Sequence, residues 1–168
     1  MDGELLNVLV EIPRGSQNKY EYDFERRAIR LDRVLYSSVH YPADYGFIED
    51  TLAEDGDHLD ALVLADQPTF PGCWVRARPV AVLKMEDYNG LDYKILCACA
   101  DDPRQEDVQD LDTVPRHFLS EVEHFFNVYK DLEPGKTTTL RGWGPRSEAL
   151  EVIRRAQQTY RASERQSP

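Results

Sequence analysis

Seven consecutive residues, Glu54-Asp55-Gly56-Asp57-His58-Leu59-Asp60, hold four carboxylates. The apolar run Ala61-Leu62-Val63-Leu64 follows at once, so the acids lead straight into a buried strand. Carboxylates crowded beside a strand repel one another and lose solvation. A hard divalent cation such as Mg²⁺ or Ca²⁺ relieves both costs, because it takes oxygen ligands of this kind. Gly56 lets the backbone turn between the first two aspartates, and with Leu59 facing the core Asp57 and Asp60 reach the same rim. A solvated acidic turn is the alternative reading of this segment taken alone. An EF-hand loop is not, because that pattern places an oxygen ligand and then Gly where Leu59 and Asp60 stand.

A second acidic set, Glu86-Asp87 with Asp92, flanks Asn89-Gly90, a strong hairpin signal. Such a hairpin brings Asp87 and Asp92 close together across its mouth. Glu11 interrupts the apolar strand Leu5–Ile12 and is either solvated at an edge or aimed into a site. Lys19, Glu21 and Asp23 alternate onto one face of the strand Lys19–Phe24. In the strand Ile29–Leu35, Arg33 shares the face of Leu31 and Leu35, which calls for a buried anionic partner or an anionic ligand.

The elements that must position these groups follow the same patterning. Tyr41–Ile48, rich in aromatics and punctuated by Pro42 and Gly46, reads as an irregular loop. Strands are expected at Ala61–Leu64, Cys73–Met85, Asp92–Cys99 and Lys136–Trp143. Pro115 opens a helix whose Phe118, Val122, Phe125, Phe126 and Tyr129 form one apolar stripe, ending at Tyr129-Lys130. A final helix spans Pro145–Arg161 with Leu150, Ile153, Ala156 and Tyr160 inward, and residues 162–168 form a frayed tail. Five to seven strands with two helices give an α+β class, mainly β, with helices packed outside a small barrel or curled sheet.

The 168 residues suit one domain, 1–168, with a sizeable core. A net charge of −11 argues against nucleic acid as a partner, because a phosphate backbone selects a basic surface. No apolar run approaches the ~20 residues of a membrane span, which argues against a membrane partner. Met1-Asp2-Gly3-Glu4 lacks the basic start and apolar core of a signal peptide, so a cytoplasmic protein is expected. Cys73, Cys97 and Cys99 include no CxxC pair and read as reduced thiols rather than zinc ligands.

From Val10 to Trp143 the chain resembles the soluble family I inorganic pyrophosphatases of bacterial type, with actinobacterial-like wording. The residues that carry this are Asp55-Gly56-Asp57-His58-Leu59-Asp60-Ala61, Glu11-Ile12-Pro13, Lys19-Tyr20-Glu21, Asp32-Arg33, Tyr41–Gly46, Lys84–Asp87, Asp92-Tyr93-Lys94 and Tyr129–Glu133, in that family's order. The resemblance implies a five-stranded OB-like barrel, Mg²⁺ as cofactor and a homohexamer. It also implies hydrolysis of pyrophosphate to two phosphates by in-line attack of a metal-activated water. Asp55, Asp60 and Asp92 match tight metal ligands, while Asp87 and Glu11 match residues that hold further metals directly or through water. Asp57 matches the general base, and Asp57 and Asp92 are the catalytic candidates. Lys19, Arg33, Tyr129 and Lys130 match phosphate binders, Tyr45 a tyrosine beside the nucleophile, and Glu21 and Lys94 supporting residues. His58 departs from the family pattern, which has Pro or Glu there. Two other classes would also use such a chain. One is an OB-fold oligonucleotide module, which the charge disfavours. The other is a Ca²⁺-binding or structural relic, which would have lost a ligand, and none of the matched acids is missing.

Overall fold

The structure, a computed structural model, describes residues 5–165. Eight strands and two helices appear: β1 (Leu6–Ile12), β2 (Asn18–Asp23), β3 (Ala28–Val34), β4 (Asp44–Ile48), β5 (Asp60–Leu64), β6 (Trp74–Asp87), β7 (Gly90–Cys99), α1 (Arg116–Val128), β8 (Thr138–Pro145) and α2 (Arg146–Glu164). β1 pairs with β4, β4 with β5, β5 with β7, β7 with β6, and β6 returns to β1, so five strands close on themselves. This is the expected OB-like ring. β8 extends the second half of β6, and β2–β3 stand apart as a two-stranded hairpin.

Closure depends on β6 serving three neighbours. Its first residues pair with β1 (Leu6↔Ala77) and its last with β8 (Asp87↔Thr138), while β7 pairs with it from Ala77 to Asp87. The ladder to β7 shifts between Pro79 and Ala81, at a residue that has no N–H to donate.

Alternate residues of the ring strands feed two apolar clusters. Leu62, Leu83 and Leu96 pack with Val122, Phe125 and Phe126 of α1. Ala61, Val63, Val82 and Ile95 pack with Ala149, Val152 and Ile153 of α2. The stripe on α1 is the expected one. The stripe on α2 is rotated: Ala149 and Val152 are buried, whereas Leu150 and Tyr160 are only half-buried. α2 also runs on through Glu164, so residues 162–164 are helical rather than frayed. The expected fraying of residues 166–168, and the signal-peptide reading of residues 1–4, lie outside the described residues.

Two other expectations change. Residues Asp44–Ile48 of the supposed loop form β4, buried at every position. Gly46 explains the disguise: it sits opposite Val10, where a Cβ would lie 1.8 Å from the Leu9 carbonyl oxygen. Only glycine fits there, and glycine reads as a strand breaker. The β6–β7 turn is centred on Tyr88-Asn89, one residue before the expected pair, with Gly90 taking φ +112° at the strand start.

Candidate active site

The acids are brought to one end of the ring. β5 and β7 run parallel with Asp60 opposite Lys94, and Asp92 shares the Lys94 face of β7 two residues earlier. The Lys94 ammonium therefore lies between two carboxylates, 2.6 Å from Asp60 and 3.0 Å from Asp92. Lys94 is only 4% exposed. Burial opposes its charge, yet Asp60 and Asp92 hold its pKa well above the ordinary lysine value. Its Nζ also sits 5.6 Å from the centroid of the Tyr45 ring.

The cations arrive on the β2–β3 hairpin and at the end of α1. Lys19 lies 2.7 Å from Glu21 and 3.2 Å from Asp32. Arg33 pairs with Asp32 at 2.7 Å and, a hundred residues away in the chain, with Glu133 at 2.6 Å. Glu133 is the buried anion that an arginine in this strand called for. The expected shared face of Leu31, Arg33 and Leu35 does not form. The ladder shifts between Lys19 and Tyr20, leaving Asp32 without a cross-strand partner, so the alternation breaks and Leu31 is 51% exposed. Among the described residues Lys130 makes no ion pair, and burial together with Lys94 and Lys136 lowers its pKa.

These groups face a cavity of about 450 Å³. Glu11, Asp57, Asp60 and Asp92 line it on the acidic side; Lys19, Arg33, Lys94 and Lys130 supply the positive charge; Glu21, Tyr45 and Tyr129 complete the expected set. Lys136, Tyr20, Tyr41 and Phe126 also line it, beyond the expected site residues. Pro134-Gly135, which turns the chain straight back, was the available signal for Lys136.

Asp55 and Asp87 do not line this cavity. Asp55 Oδ1 accepts the Asp57 amide at 3.0 Å, and Asp87 Oδ1 accepts the Asn89 amide at 2.8 Å, so each carboxylate caps its own turn. Asp55 instead borders a neighbouring cavity of about 320 Å³ that shares Asp60 and Asp92. Among the described residues no three acidic, histidine or cysteine side chains converge as a ready metal cage. The donor chemistry nevertheless fits a hard cation, since every candidate ligand is a carboxylate. Three of the acids resist ionisation, chiefly because they are withdrawn from water. Burial pushes Glu11 up to about 7 against the pull of the Tyr22 amide. Burial raises Asp92 despite Lys94, with Asp60 adding repulsion. Desolvation and the charges of Asp55 and Asp60 raise Asp57.

Residues 8–161 match the family model described as "Inorganic pyrophosphatase". The chain belongs to the inorganic pyrophosphatase family. Members are metal-dependent hydrolases that convert pyrophosphate to two phosphates, so the expected enzyme class and substrate are met at the level of the family. The chain is 52% identical over 147 residues to the inorganic pyrophosphatase of Leifsonia xyli, covering 88% of this chain and 90% of that one. It is 53% identical over 153 residues to that of Methanosarcina mazei, covering 91% and 90%, so the likeness is not confined to actinobacterial members. The crystal structure of inorganic pyrophosphatase from Thermus thermophilus is similar with a TM-score of 0.92 at 47% identity, covering 95% of this chain and 93% of that one. No helix among the described residues is long and apolar enough to cross a membrane.

Proposed function

We propose that this chain hydrolyses inorganic pyrophosphate to two phosphates in the 450 Å³ cavity, by in-line attack of water and with Mg²⁺ as cofactor. The observation that carries the reading is the meeting of opposite charges there: Glu11, Asp57, Asp60 and Asp92 line the same cavity as Lys19, Arg33, Lys94 and Lys130. Bare carboxylates repel a polyanion, so the acids make sense as a cradle for cations and the bases as a cradle for phosphoryl oxygens.

Asp55, Asp60 and Asp92 would hold Mg²⁺, with Glu11 and Asp87 assisting directly or through water. Bound there, Mg²⁺ supplies Lewis-acid polarisation and eases deprotonation of the attacking water. Asp57, which lines the cavity two residues from Asp55 and three from Asp60, takes the proton of that water. Lys19, Arg33, Tyr129 and Lys130 hold the phosphoryl oxygens, Arg33 with a two-pronged fork and the lysines as point charges. Lys130, which has no carboxylate of its own among the described residues, offsets charge on the departing phosphate. Tyr45 borders the attacking water, Glu21 holds Lys19, and Lys94 holds Asp60 and Asp92.

Phosphate release from pyrophosphate, with Mg²⁺ and with excess EDTA, tests this. Turnover is expected with the metal and none without it; turnover that survives chelation overturns the scheme. On the family resemblance we extend the reading to one domain over residues 1–168 acting as a homohexamer in the cytoplasm, without nucleic-acid or membrane partners. Sedimentation of the purified protein checks the hexamer.

A further inference from the structure

We propose that His58 is a positioning residue for this reaction: it locks the acid-bearing loop at its neck and so aims Asp57 into the cavity. The inference rests on the functional reading above. The His58 Nδ1 lies 2.7 Å from the Thr51 carbonyl oxygen. A carbonyl can only accept, so Nδ1 carries the proton and donates it. Thr51 is fully buried, and its hydroxyl donates to the Ile48 carbonyl at 2.6 Å while accepting the Leu59 amide at 2.9 Å. One buried threonine therefore ties both ends of the loop, and His58 supplies the tie nearest the base.

The ring of His58 is held in turn. It stacks on Phe47 of β4 at 4.8 Å and 18°, and Phe24, at the turn of the β2–β3 hairpin, packs against it at 5.2 Å and 34°. A single side chain thus joins the acid loop, the ring and the hairpin that brings Lys19 and Arg33. Asp57 itself is exposed, and its backbone hangs on bonds within the loop, such as the Ala53 amide to its carbonyl at 2.7 Å. Such a loop can tilt as a unit unless its neck is fixed. A base must come within about 3 Å of the proton it takes, and a displacement of about 1 Å costs on the order of a hundredfold in rate.

Two substitutions separate the donor from the ring. His58→Phe keeps the stack and removes the donor, while His58→Asn restores a donor near the place of Nδ1 and gives up the ring. His58→Phe is expected to lower kcat about tenfold or more with KM for pyrophosphate changed less than about twofold, and His58→Asn to recover most of the loss. In metal-free protein, deuterium exchange over residues 51–60 is expected to run about tenfold faster in His58→Phe and near the parent rate in His58→Asn. Parent kcat in His58→Phe, or equal losses and equal exchange in both variants, overturns the proposal. Should His58→Phe fail to fold, His58→Ala takes its place against His58→Asn, and equal exchange in that pair overturns it. A parent protein that fails to hydrolyse pyrophosphate with Mg²⁺ defeats the functional reading instead, and the exchange arm still judges the clamp.

Discussion

The closed ring and the β2–β3 hairpin both face the cavity, but different forces hold them. The ring is clamped by buried apolar side chains: Val8, Leu62, Leu83 and Ile95 are fully buried, and both helices lie on its clusters. The hairpin buries no residue of its own, as every position in β2 and β3 is half-buried or exposed. It is held by its ladder, by Lys19 and Arg33 pairing with Asp32, by Arg33 reaching Glu133, and by Glu11 accepting the Tyr22 amide at 2.7 Å. Glu11, Asp60 and Asp92 are therefore fixed by the ring, whereas Asp55 and Asp57 are carried by the exposed loop before β5. Lys19 and Arg33 sit instead on a hairpin that depends on its own ladder and on half-buried ion pairs, with Glu133 the buried partner of Arg33.

Substitutions distinguish what the ring and the hairpin each contribute. The largest effect is expected from Asp57→Asn on the acidic side: kcat falls about 10³-fold, while Mg²⁺ binding by calorimetry and KM stay near the parent values. Parent turnover in that variant would remove Asp57 as the base. Next comes Gly46→Ala, whose methyl group would strike the Leu9 carbonyl. It is expected to cost about 3 kcal/mol or more in denaturant unfolding, because backbone in the closed ring has nowhere to go. Arg33→Lys on the hairpin should do the reverse, raising KM about tenfold through loss of the planar fork while shifting Tm little. If it destabilises the protein as much as Gly46→Ala does, hairpin and ring are one cooperative unit.

The smallest effect concerns pH. Burial opposes the Glu133 charge, but hydrogen bonds from Arg33 and Lys136 hold its pKa below the ordinary 4.5. A carboxyl depressed on folding adds stability above its unfolded value and loses it as the pH falls through the folded one. Glu133→Gln should therefore cost about 1 kcal/mol at neutral pH and flatten the fall in stability below about pH 4.5. An acid limb identical to the parent's would show that the pair contributes nothing.

Much of this was legible in the chain itself. Strand alternation, the apolar stripe of α1 and the spacing of Asp55, Asp57 and Asp60 are local patterns, set by the periods of two and 3.6 residues. They sufficed for the class, most of the elements and the acidic chemistry. β4 was hidden because Gly46 satisfies a contact with β1 that no local pattern announces.

What the sequence alone determined is therefore the inventory: which residues can bear charge, which segments can be strands or helices, and which family they compose. Tertiary structure decided who meets whom. The parallel β5–β7 register sets Lys94 between Asp60 and Asp92, the approach of α1's end to the hairpin joins Arg33 to Glu133, and the turns draw Asp55 onto the Asp57 amide and Asp87 onto the Asn89 amide. Those pairings depend on strand order and register, which long-range packing selects among many locally equivalent alternatives.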